Sequence, residues 1–575
     1  MNADRLLAHY ETIADAPDAI ARLRRFVLDL AVRGKLVPQE ATDEPASELL
    51  KQIAKEKARL VKAGELRKPR DLDSGKNLDE PFAIPATWRW VRLDTVGAIV
   101  GGGTPSAADP DNFTEPGKGV PWLTPADLGG YSDLYISRGS RDLSEKGSRA
   151  SSATVMPKGA VLFTSRAPIG YVAIAASPIS TNQGFKSIIP YIGDCSRFIA
   201  AAMKAFAPEI DAKAPGTTFK EVSGKIVAAI PFPLPPLAEQ HRIVAKVDEL
   251  IDLCDRLAVA RASREATRDR LTAASLARLN APDPETFHAD ARFALDALPA
   301  LTTRPDQIKA LRQTILNLAV RGKLVPQDAT DGRGDDLLRQ FAKLRNEVRF
   351  GGRGRREASD SEINDEEKYL EIPTSWAWAR VHQVGMTQTG TSPSSSNPAL
   401  FGDHIPFVKP ADLDGNAINY DGPGLSEEGM HHSRVAPKNT VLMVCIGATL
   451  GKVNITECSV CFNQQINAVT PYMDGLHRFV AIALRASGFQ ELAWSKAGTG
   501  TLPIISKGKW EVLPIPLPPL AEQLRIVVKV DALMAICDRL EASLTASSAT
   551  RRRLLDALLA DALVPAEDRE LEAAE

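Results

Sequence analysis

The stretch Leu234-Pro-Pro-Leu-Ala-Glu-Gln-His-Arg-Ile-Val-Ala-Lys-Val-Asp248 recurs almost letter for letter as Leu517-Pro-Pro-Leu-Ala-Glu-Gln-Leu-Arg-Ile-Val-Val-Lys-Val-Asp531. A second block, Leu30-Ala-Val-Arg-Gly-Lys-Leu-Val-Pro-Gln39, recurs unchanged at 318–327. The copies are separated by far more than the about 20 to 50 residues of a solenoid repeat. The chain therefore contains one large unit twice.

A long helical pattern follows each proline pair, at 235–236 and 518–519. Its apolar residues are spaced alternately by four and three positions, as in the seam of a coiled coil. They are Ile243, Val247, Leu250, Cys254 and Leu257 in the first copy, and Ile526, Val530, Leu533, Cys537, Leu540 and Leu544 in the second. Because proline suits the first turn of a helix, we expect each helix to begin just after the proline pair.

Two shorter apolar strips have complementary spacing and are the expected partners of the long helices. They are Ile20, Leu23, Val27 and Leu30, and Ile308, Leu311, Ile315 and Leu318. A run of about 40 helical residues extends about 60 Å. Helices of this length are long enough to set the spacing between two domains.

The repeated blocks divide the chain into five regions. They are a helical segment at 1–81, a module at 82–233, a helical region with a linker at 234–369, a second module at 370–516 and a last helical region at 517–575. In the middle of the chain, a long helical block is followed by the segment 306–327, which matches 18–39. The last helical block has no such segment after it, and 18–39 has no helical block before it, so the repeat is circularly permuted. We therefore predict an α+β protein: two mixed α/β domains separated by long antiparallel coiled-coil helices, closed into a pseudo-two-fold circular repeat by pairing of the terminal helical segments.

The two modules share their beginning but not their interior. Each begins with a tryptophan pair, in Ile84-Pro-Ala-Thr-Trp88-Arg-Trp90 and Ile372-Pro-Thr-Ser-Trp376-Ala-Trp378. We interpret these tryptophans as core anchors rather than as platforms for stacking on bases. Farther on, Leu162-Phe-Thr-Ser-Arg-Ala-Pro-Ile-Gly170 stands against Leu442-Met-Val-Cys-Ile-Gly-Ala-Thr-Leu-Gly451. A constant scaffold with divergent modules suggests one kind of task performed on two different targets.

The composition indicates a cytoplasmic multidomain protein without a membrane segment. The chain has 575 residues, of which 44% are hydrophobic, yet no apolar run approaches the about 20 residues of a membrane span. The N-terminal residues lack the pattern of a signal peptide. Six cysteines in a chain of this length do not form a disulfide framework. Cys254 and Cys537, at equivalent points of the two copies, are predicted to be small core residues.

Taken together, these motifs resemble those of the specificity subunit of Type I restriction–modification enzymes. The resemblance rests on Pro-Leu-Pro-Pro-Leu-Ala-Glu-Gln before a heptad helix, Gly-Lys-Leu-Val-Pro-Gln, the Thr-Pro-Ser turn and Ile-Pro-x-x-Trp-x-Trp, and it covers nearly the whole chain. It implies two target recognition domains that each read one half of a bipartite DNA site, with helices that set the unread gap. The charged segments at about 44–80 and 330–368 depart from the family's simplest layout.

The resemblance also implies partners and cofactors. The expected partners are double-stranded DNA, two methyltransferase (modification) subunits bound to the helices, and restriction subunits that translocate and cut DNA. We expect this chain to be non-catalytic and to carry no cofactor, so S-adenosylmethionine, ATP and magnesium are expected only on partner subunits. No Gly-Lys pair is followed by Ser or Thr, which argues against a P-loop. Asn397-Pro-Ala-Leu-Phe401 breaks the Asn/Asp-Pro-Pro-aromatic motif of DNA amino-methyltransferases.

Polar residues in and near the divergent stretches are the candidate DNA contacts. The usual base readers are Arg or Lys on guanine and Asn or Gln on adenine, which favours Arg166, Asn182, Gln183 and Lys186 in the first module. In the second, Asn463, Gln464, Gln465 and Lys452 hold comparable positions in the sequence. Hydroxyls and a lysine in the loops at 216–220 and 498–501 are expected to contribute phosphate contacts: Thr217, Thr218, Lys220, Thr499 and Thr501. The turn residues Thr104, Ser106, Ser392 and Ser394 are further candidate DNA contacts. Both copies keep the Asn-Gln pair, so its alternative role is to satisfy buried backbone groups. Ordinary turns are the alternative for the loops.

The overall charge leaves a second function class open. A net charge of −2 and a pI of about 6.5 lack the basic footprint of a free-standing DNA-binding domain. A coiled-coil adaptor that binds only protein is therefore the alternative to a DNA reader. Cys445, Cys458, Cys461 and the His431-His432 pair give only a weak zinc signal, because one Cys-x-x-Cys lacks a second pair. We predict no metal site.

Overall fold

The computed structural model describes residues 13–64, 78–166, 168–216, 220–283, 285–349, 361–415, 417–498 and 502–563. The chain divides into two compact units, unit 1 with Met1–Ser263 and Ser548–Glu575, and unit 2 with Arg264–Ser547. Both units mix helices and sheets, as the sequence predicts. No helix among the described residues is long and apolar enough to cross a membrane.

Unit 1 alternates helices with short strands. The helices in its described part are α1 (Ala19–Val32), α2 (Ala46–Lys62), α3 (Leu93–Val96), α4 (Glu145–Ala150), α5 (Ser196–Lys213), α6 (Gly224–Ala228) and the beginning of α7 (Leu237–Asn280). The strands are β1 (Arg89–Arg92), β2 (Gly97–Gly101), β3 (Phe113–Thr114), β4 (Val120–Leu123), β5 (Tyr135–Ile136), β6 (Arg141–Leu143), β7 (Val161–Ser165), β8 (Ile169–Ala175), β9 (Ser180–Thr181), β10 (Lys186–Pro190) and β11 (Pro231–Leu234).

Three sheets form from these strands. The largest has the order β2-β10-β7-β8-β5, and a second has the order β3-β6-β4-β9. Strands β1 and β11 form an antiparallel pair in which Arg89 lies opposite Leu234. Strand β11 ends where α7 is about to begin, so this pair ties the start of the long helix to the tryptophan motif.

Unit 2 repeats this plan. Its described helices are α8 (Phe287–Asp296), α9 (Leu298–Leu301), α10 (Pro305–Val320), α11 (Gly334–Arg349), α12 (Val381–Val384), α13 (Glu427–His431), α14 (Leu476–Arg485), α15 (Ser487–Lys496), α16 (Lys507–Trp510) and α17 (Leu520–Leu563), which ends in unit 1. The strands are β12 (Ala377–Arg380), β13 (Gly385–Thr389), β14 (Phe401–Ile405), β15 (Phe407–Val408), β16 (Val435–Ala436), β17 (Val441–Val444), β18 (Val453–Ile455), β19 (Val460–Phe462), β20 (Ile466–Pro471) and β21 (Pro514–Leu517).

Two sheets of unit 2 match sheets of unit 1 in strand order. Strands β13-β20-β17-β18 correspond to β2-β10-β7-β8, and β12 pairs antiparallel with β21 as β1 does with β11. A three-stranded sheet has the order β15-β19-β16. The two modules are therefore built on one strand plan despite the divergence of their sequences.

The predicted helix starts are confirmed, and so is the core position of the first tryptophan of each pair, whereas Trp90 and Trp378 are half-buried. Helices α7 and α17 begin at Leu237 and Leu520, directly after the proline pairs. Trp88 and Trp376 are 1% and 4% exposed. Their rings pack edge-on against Phe198 and Phe479, with centroids 6.1 and 6.2 Å apart. Cys254 and Cys537 are also buried.

The two charged segments, at 44–80 and 330–368, each contain an amphipathic helix. Residues 65–77 and 350–360 lie outside the described part of the chain. In the described part, α2 and α11 present one apolar side to the core of their own unit. The buried residues on that side are Leu49 and Ile53 in α2, and Leu337 and Phe341 in α11.

Within unit 1, the C-terminal end of α17 packs against the N-terminal segment. Four buried residues form a separate apolar cluster there: Ile13, Ala16, Ala19 and Leu555. The Lys35 ammonium donates to the carbonyl oxygen of Leu563 at 2.5 Å. Arg22 forms an ion pair with Asp556. These contacts join segments at opposite ends of the sequence.

A buried carboxylate joins the repeated motifs of unit 1. Glu239, in the first turn of α7, is 1% exposed. Its Oε2 accepts a hydrogen bond from the Trp88 indole N–H at 2.9 Å, and its Oε1 accepts one from Gln39 Nε2 at 2.5 Å. Thr87 Oγ1 donates to Gln39 Oε1 at 2.9 Å. Three motifs that are distant in sequence therefore meet at one side chain, which we call the glutamate junction.

Unit 2 has the same junction. Glu522 is 1% exposed, and its Oε2 accepts a hydrogen bond from the Trp376 indole N–H at 2.8 Å. Gln327 Nε2 donates to Glu522 Oε1, and Ser375 Oγ donates to Gln327 Oε1 at 2.8 Å. This shared bonding explains why the motifs are copied so closely.

We predict that Glu239→Ala lowers the free energy of unfolding of unit 1 by about 1 to 3 kcal/mol, because the buried indole N–H of Trp88 loses its acceptor. Urea unfolding of the full chain gives the size of the loss, and hydrogen exchange locates it. Glu249→Ala is the matched control, because Glu249 lies on the same helix and its exposed carboxylate pairs with Lys246 on the helix surface. An equal loss in both variants would contradict the structural role of the junction.

The junction also predicts a pH effect. Burial raises the pKa of Glu239 above its ordinary 4.5, although hydrogen bonds from Trp88 and Gln39 oppose the shift. The folded state thus holds this proton more tightly than the unfolded chain. The resulting stabilisation is complete below the unfolded pKa and is lost as pH rises through the folded pKa. Relative to Glu239→Gln, the wild type should therefore gain stability as the pH of the urea titration falls from 7 towards 4.5. A constant difference would refute the shift.

Candidate nucleic-acid interface

A glycine loop and an Asn-Gln turn lie against each other in the first module. A Cβ on Gly102 would stand 1.9 Å from the carbonyl oxygen of Asn182, so only glycine fits this approach. Gly103 N donates to the carbonyl oxygen of Thr181 at 2.9 Å. Beyond the glycines, Thr104 Oγ1 donates to Gln183 Oε1. The predicted Thr-Pro-Ser turn and Asn-Gln pair are therefore in contact.

The second module has the same arrangement. A Cβ on Gly390 would stand 2.1 Å from the carbonyl oxygen of Asn463. Thr391 N donates to the carbonyl oxygen of Phe462 at 2.9 Å, and Ser392 Oγ donates to Gln464 Oε1 at 2.6 Å. We call residues 102–106 with 181–184, and 390–394 with 462–465, the turn pairs of the two modules.

The asparagines of the turn pairs stabilise their own turns. Asn182 Oδ1 accepts from Gly184 N at 2.8 Å, and Asn463 Oδ1 accepts from Gln465 N at 3.0 Å. Asn463 Nδ2 also donates to Gln465 Oε1 at 3.0 Å. These bonds match the alternative in which the pair satisfies backbone groups. Gln183 and Gln464, in contrast, are exposed.

Three predicted cations of the first module already have acidic neighbours. Arg166 and Lys186 lie 3.6 and 3.8 Å from the carboxylate of Glu221. Burial lowers the pKa of Lys186; the Arg166 guanidinium adds to this shift and Glu221 opposes it. Lys220 Nζ donates to Asp211 Oδ2 at 3.3 Å. Lys186 Nζ also donates to the carbonyl oxygen of Gln183 at 3.1 Å, and Ser165 N, next to Arg166, donates to that of Gly184 at 2.8 Å. Both cations therefore lie beside the turn pair.

The sequence places Lys452 in a position comparable to Lys186, but the strand registers do not. Strand registers align Val172 with Val453, so Lys452 stands where the first module has Tyr171. Its ammonium donates to the carbonyl oxygen of Leu413 at 2.8 Å. Phe185 N and Ile466 N donate to the carbonyl oxygens of Asn182 and Asn463. Lys186 and Asn467 are the next residues along, so Asn467 holds the position of Lys186.

The other predicted contacts are placed as follows. Ser106 is exposed, and its carbonyl oxygen accepts from Asn112 Nδ2 at 3.0 Å. Ser394 Oγ lies 2.8 Å from Ser396 Oγ. The remaining four predictions lie outside the described residues: Thr217, Thr218, Thr499 and Thr501.

Two features beside the turn pairs were not predicted. One is Glu221, which forms an isolated antiparallel bridge with Arg166, while Ile504 bridges Ile446 in the second module. The other is Arg141, whose guanidinium lies 5.2 Å from the centroid of the Trp122 ring. The Trp122 indole N–H donates to the carbonyl oxygen of Gly103 in the turn pair at 3.0 Å. The sequence did contain a signal for these residues, because Glu221 and Ile504 come just after the polar loops at 216–220 and 498–501 that were predicted to contact DNA.

The cysteine and histidine residues give no metal centre in the described part of the chain, where no group of three or more His, Cys, Asp or Glu side chains is placed to hold an ion. Cys445 is buried, and its Sγ accepts from Asn467 Nδ2 at 3.1 Å. Burial raises the pKa of this thiol to about 12. Cys458 is exposed, whereas Cys461 is buried.

The chain is similar to known proteins along most of its length. It is 26% identical over 582 residues to the Type I restriction enzyme EcoEI specificity subunit of Escherichia coli, covering 95% of this chain and 94% of that protein. It is 26% identical to the Escherichia coli EcoAI specificity subunit, covering 94% and 93%. The MjaIX specificity subunit of Methanocaldococcus jannaschii is 38% identical over 177 residues, which is 30% of this chain and 40% of that protein.

A solved structure from a study of complex assembly and conformational transition of the type I R-M system has a similar fold. Its TM-score is 0.50 at 21% identity, covering 84% of this chain and 99% of that chain. The Type I restriction modification DNA specificity domain matches this sequence twice, at residues 85–261 and 373–547. Each match contains one turn pair and one glutamate of the junctions. The chain therefore belongs to the family of Type I restriction modification DNA specificity proteins.

Proposed function

We propose that this chain is the DNA specificity subunit of a Type I restriction–modification complex. It reads a bipartite double-stranded target, with one recognition domain for each half-site. The observation that carries this function is the presence of two DNA specificity domains in one chain. Both keep the same turn pair while the side chains beside it differ, as two readers of different half-sites require. We assign the two readers to residues 82–233 and 370–516.

Exposed side chains of the turn pairs are the proposed base contacts. A glutamine oxygen has two lone pairs and its amide nitrogen two hydrogens, so Gln183 and Gln464 keep bonding capacity after Thr104 and Ser392 are satisfied. Asn182 and Asn463 then act as turn formers that position the glutamines. We propose that the serines, threonines and lysines of the neighbouring loops contact phosphate, which fixes orientation without reading sequence.

The long helices are the proposed docking surface for methyltransferase subunits, of which we expect two. Exposed apolar side chains on α17 support this role: Leu524 and Val528 are 49% and 68% exposed and one turn apart, so they are neighbours on the helix surface. Ile536, farther along the same helix, is 38% exposed. With a net charge of −2, the chain needs partners to supply much of the phosphate neutralisation. Restriction subunits are expected to join the same complex.

We further propose that α7 and α17 form a long antiparallel coiled coil and that the chain is a closed circular repeat. Two 44-residue helices with equivalent starts support this arrangement. The apolar cluster of Ile13, Ala16, Ala19 and Leu555 supports the closure. The chain is proposed to be non-catalytic and cytoplasmic, with S-adenosylmethionine, ATP and magnesium used by its partners.

Module exchange tests the two-reader function. We expect the chain, co-expressed with its methyltransferase partner, to direct methylation of adenines in a split, asymmetric motif with a fixed gap, measured across the host genome. Replacing residues 82–233 by a module from another family member should change one half-site only, because each domain reads alone. Replacing 370–516 is the matched control and should change the other half. Equal change of both halves, or no motif from a stable complex, would refute two independent readers.

Helix length should set the gap between the half-sites. One heptad is inserted after Asp255 and another after the equivalent Asp538, so that seam residues stay in register. Seven helical residues add about 10 Å, which corresponds to about three base pairs of B-DNA at 3.4 Å each. Methylation mapping should therefore find unchanged half-sites with a longer gap. An unchanged gap in a stable, active complex would show that the helices do not act as the spacer.

A further inference from the structure

The isolated bridges beside the turn pairs occupy equivalent positions in the two modules. In the first, Ser165 N donates to the carbonyl oxygen of Gly184 at 2.8 Å, and Val222 N donates to that of Ser165 at 2.9 Å. In the second, the same two bonds measure 2.7 and 3.0 Å and join Cys445 to Gln465 and Ile505 to Cys445. The backbone is therefore the same, and the bridge residues are directly comparable: Arg166 with Glu221, and Ile446 with Ile504.

The bridge of the first module is charged. The Arg166 guanidinium lies 3.6 Å from the Glu221 carboxylate, and the two side chains are 35% and 47% exposed. Lys186 Nζ lies 3.8 Å from the same carboxylate. Both separations exceed a hydrogen bond, so the cations keep donors and Glu221 keeps acceptors for a ligand. Arg166, Lys186 and Glu221 thus present donors and an acceptor side by side, next to the exposed Gln183.

The bridge of the second module is apolar. Ile504 is 46% exposed, and the nearby Leu502 is 58% exposed. Where the first module has Lys186, the second has Asn467, which is 2% exposed. Its amide group is used inside the protein, by Cys445 Sγ at 3.1 Å and Thr389 Oγ1 at 2.7 Å. The second module therefore presents hydrocarbon where the first presents charge.

Base pairs differ in the major groove in their hydrogen-bonding groups and in their apolar surface. A G·C pair exposes two acceptors on guanine and an amino donor on cytosine, whereas thymine exposes a methyl group. A phosphate group carries acceptors only, so it would offer no donor to the Glu221 carboxylate and would gain nothing from Ile446 and Ile504. The chemistry of both bridges therefore fits base edges better than the DNA backbone.

We propose that the two bridges are the positions at which the modules choose different base pairs. Arg166 donates to guanine and Glu221 accepts from the cytosine amino group, so the first module requires a G·C pair at this point. Ile446 and Ile504 pack against a thymine methyl group, so the second module requires an A·T pair. This inference rests on the proposed function and assigns a base chemistry to each half-site.

Transplanting the bridges tests the inference in the full chain with its methyltransferase partner. Arg166→Ile with Glu221→Ile should relax one G·C position of one half-site, with a loss of discrimination of about ten- to a hundredfold. Ile446→Arg with Ile504→Glu should alter one A·T position of the other half-site. Arg149→Ala with Glu145→Ala is the control, because this exposed ion pair of the first module lies on α4. The DNA motif methylated with this control variant should be unchanged.

A measurement on the unaltered protein keeps the inference testable if the transplanted variants do not fold. Each thymine of both half-sites is replaced in turn by uracil, which removes only the methyl group. One replacement in the half-site of the second module should weaken binding about fourfold, the effect of one buried methyl group. No uracil effect in that half-site, or transplants that leave both half-sites unchanged, would overturn the inference while the two-reader function stands. Absence of any motif with the wild type would overturn both.

Discussion

The architecture of each unit depends on one buried carboxylate at the start of a long helix. Burying a carboxylate is costly unless donors surround it, and Glu239 and Glu522 each receive an indole N–H and an amide N–H. The donors come from the tryptophan motif and from the Leu-Val-Pro-Gln motif. The junction therefore holds the N-terminal turn of the helix, the first strand of the module and the preceding helical segment together. The raised pKa of both glutamates shows that their burial is offset only in part.

This dependence explains why the scaffold is copied closely while the readers diverge. Loss of any member of the junction leaves another buried polar group unsatisfied, so its residues are not independently replaceable. The bridge residues are under no such constraint. Ser165 and Cys445 carry the backbone hydrogen bonds that hold the loops together, and Arg166 and Ile446 are the next residues along. Their side chains can change while the backbone keeps its course.

The sequence predicted the parts of the fold that depend on local chemistry. The proline pairs fixed the helix starts, and recurrence in the same frame identified Trp88 and Trp376 as core residues. It could not predict that Thr104 contacts Gln183, because this contact depends on how a glycine loop meets a distant turn. It left two roles open for Asn182, base reading and the satisfaction of backbone groups, and the bond from Gly184 N to Asn182 Oδ1 fits the second role. Lys452 was matched to Lys186 because a register cannot be read across sequences of different length.

The charge pattern of the first module separates discrimination from affinity. Many of its described cations are paired with acids, among them Arg138 with Asp142, Lys146 with Asp109 and Lys213 with Glu209. Such pairs reduce the attraction for phosphate on which non-specific DNA affinity depends. A carboxylate beside Arg166 has the same effect, yet it adds an acceptor that distinguishes one base edge from another. We expect a reader built in this way to bind DNA weakly by itself and to gain selectivity when partner subunits supply the general affinity. The near-neutral charge of the chain is therefore consistent with a specificity subunit that acts within a complex.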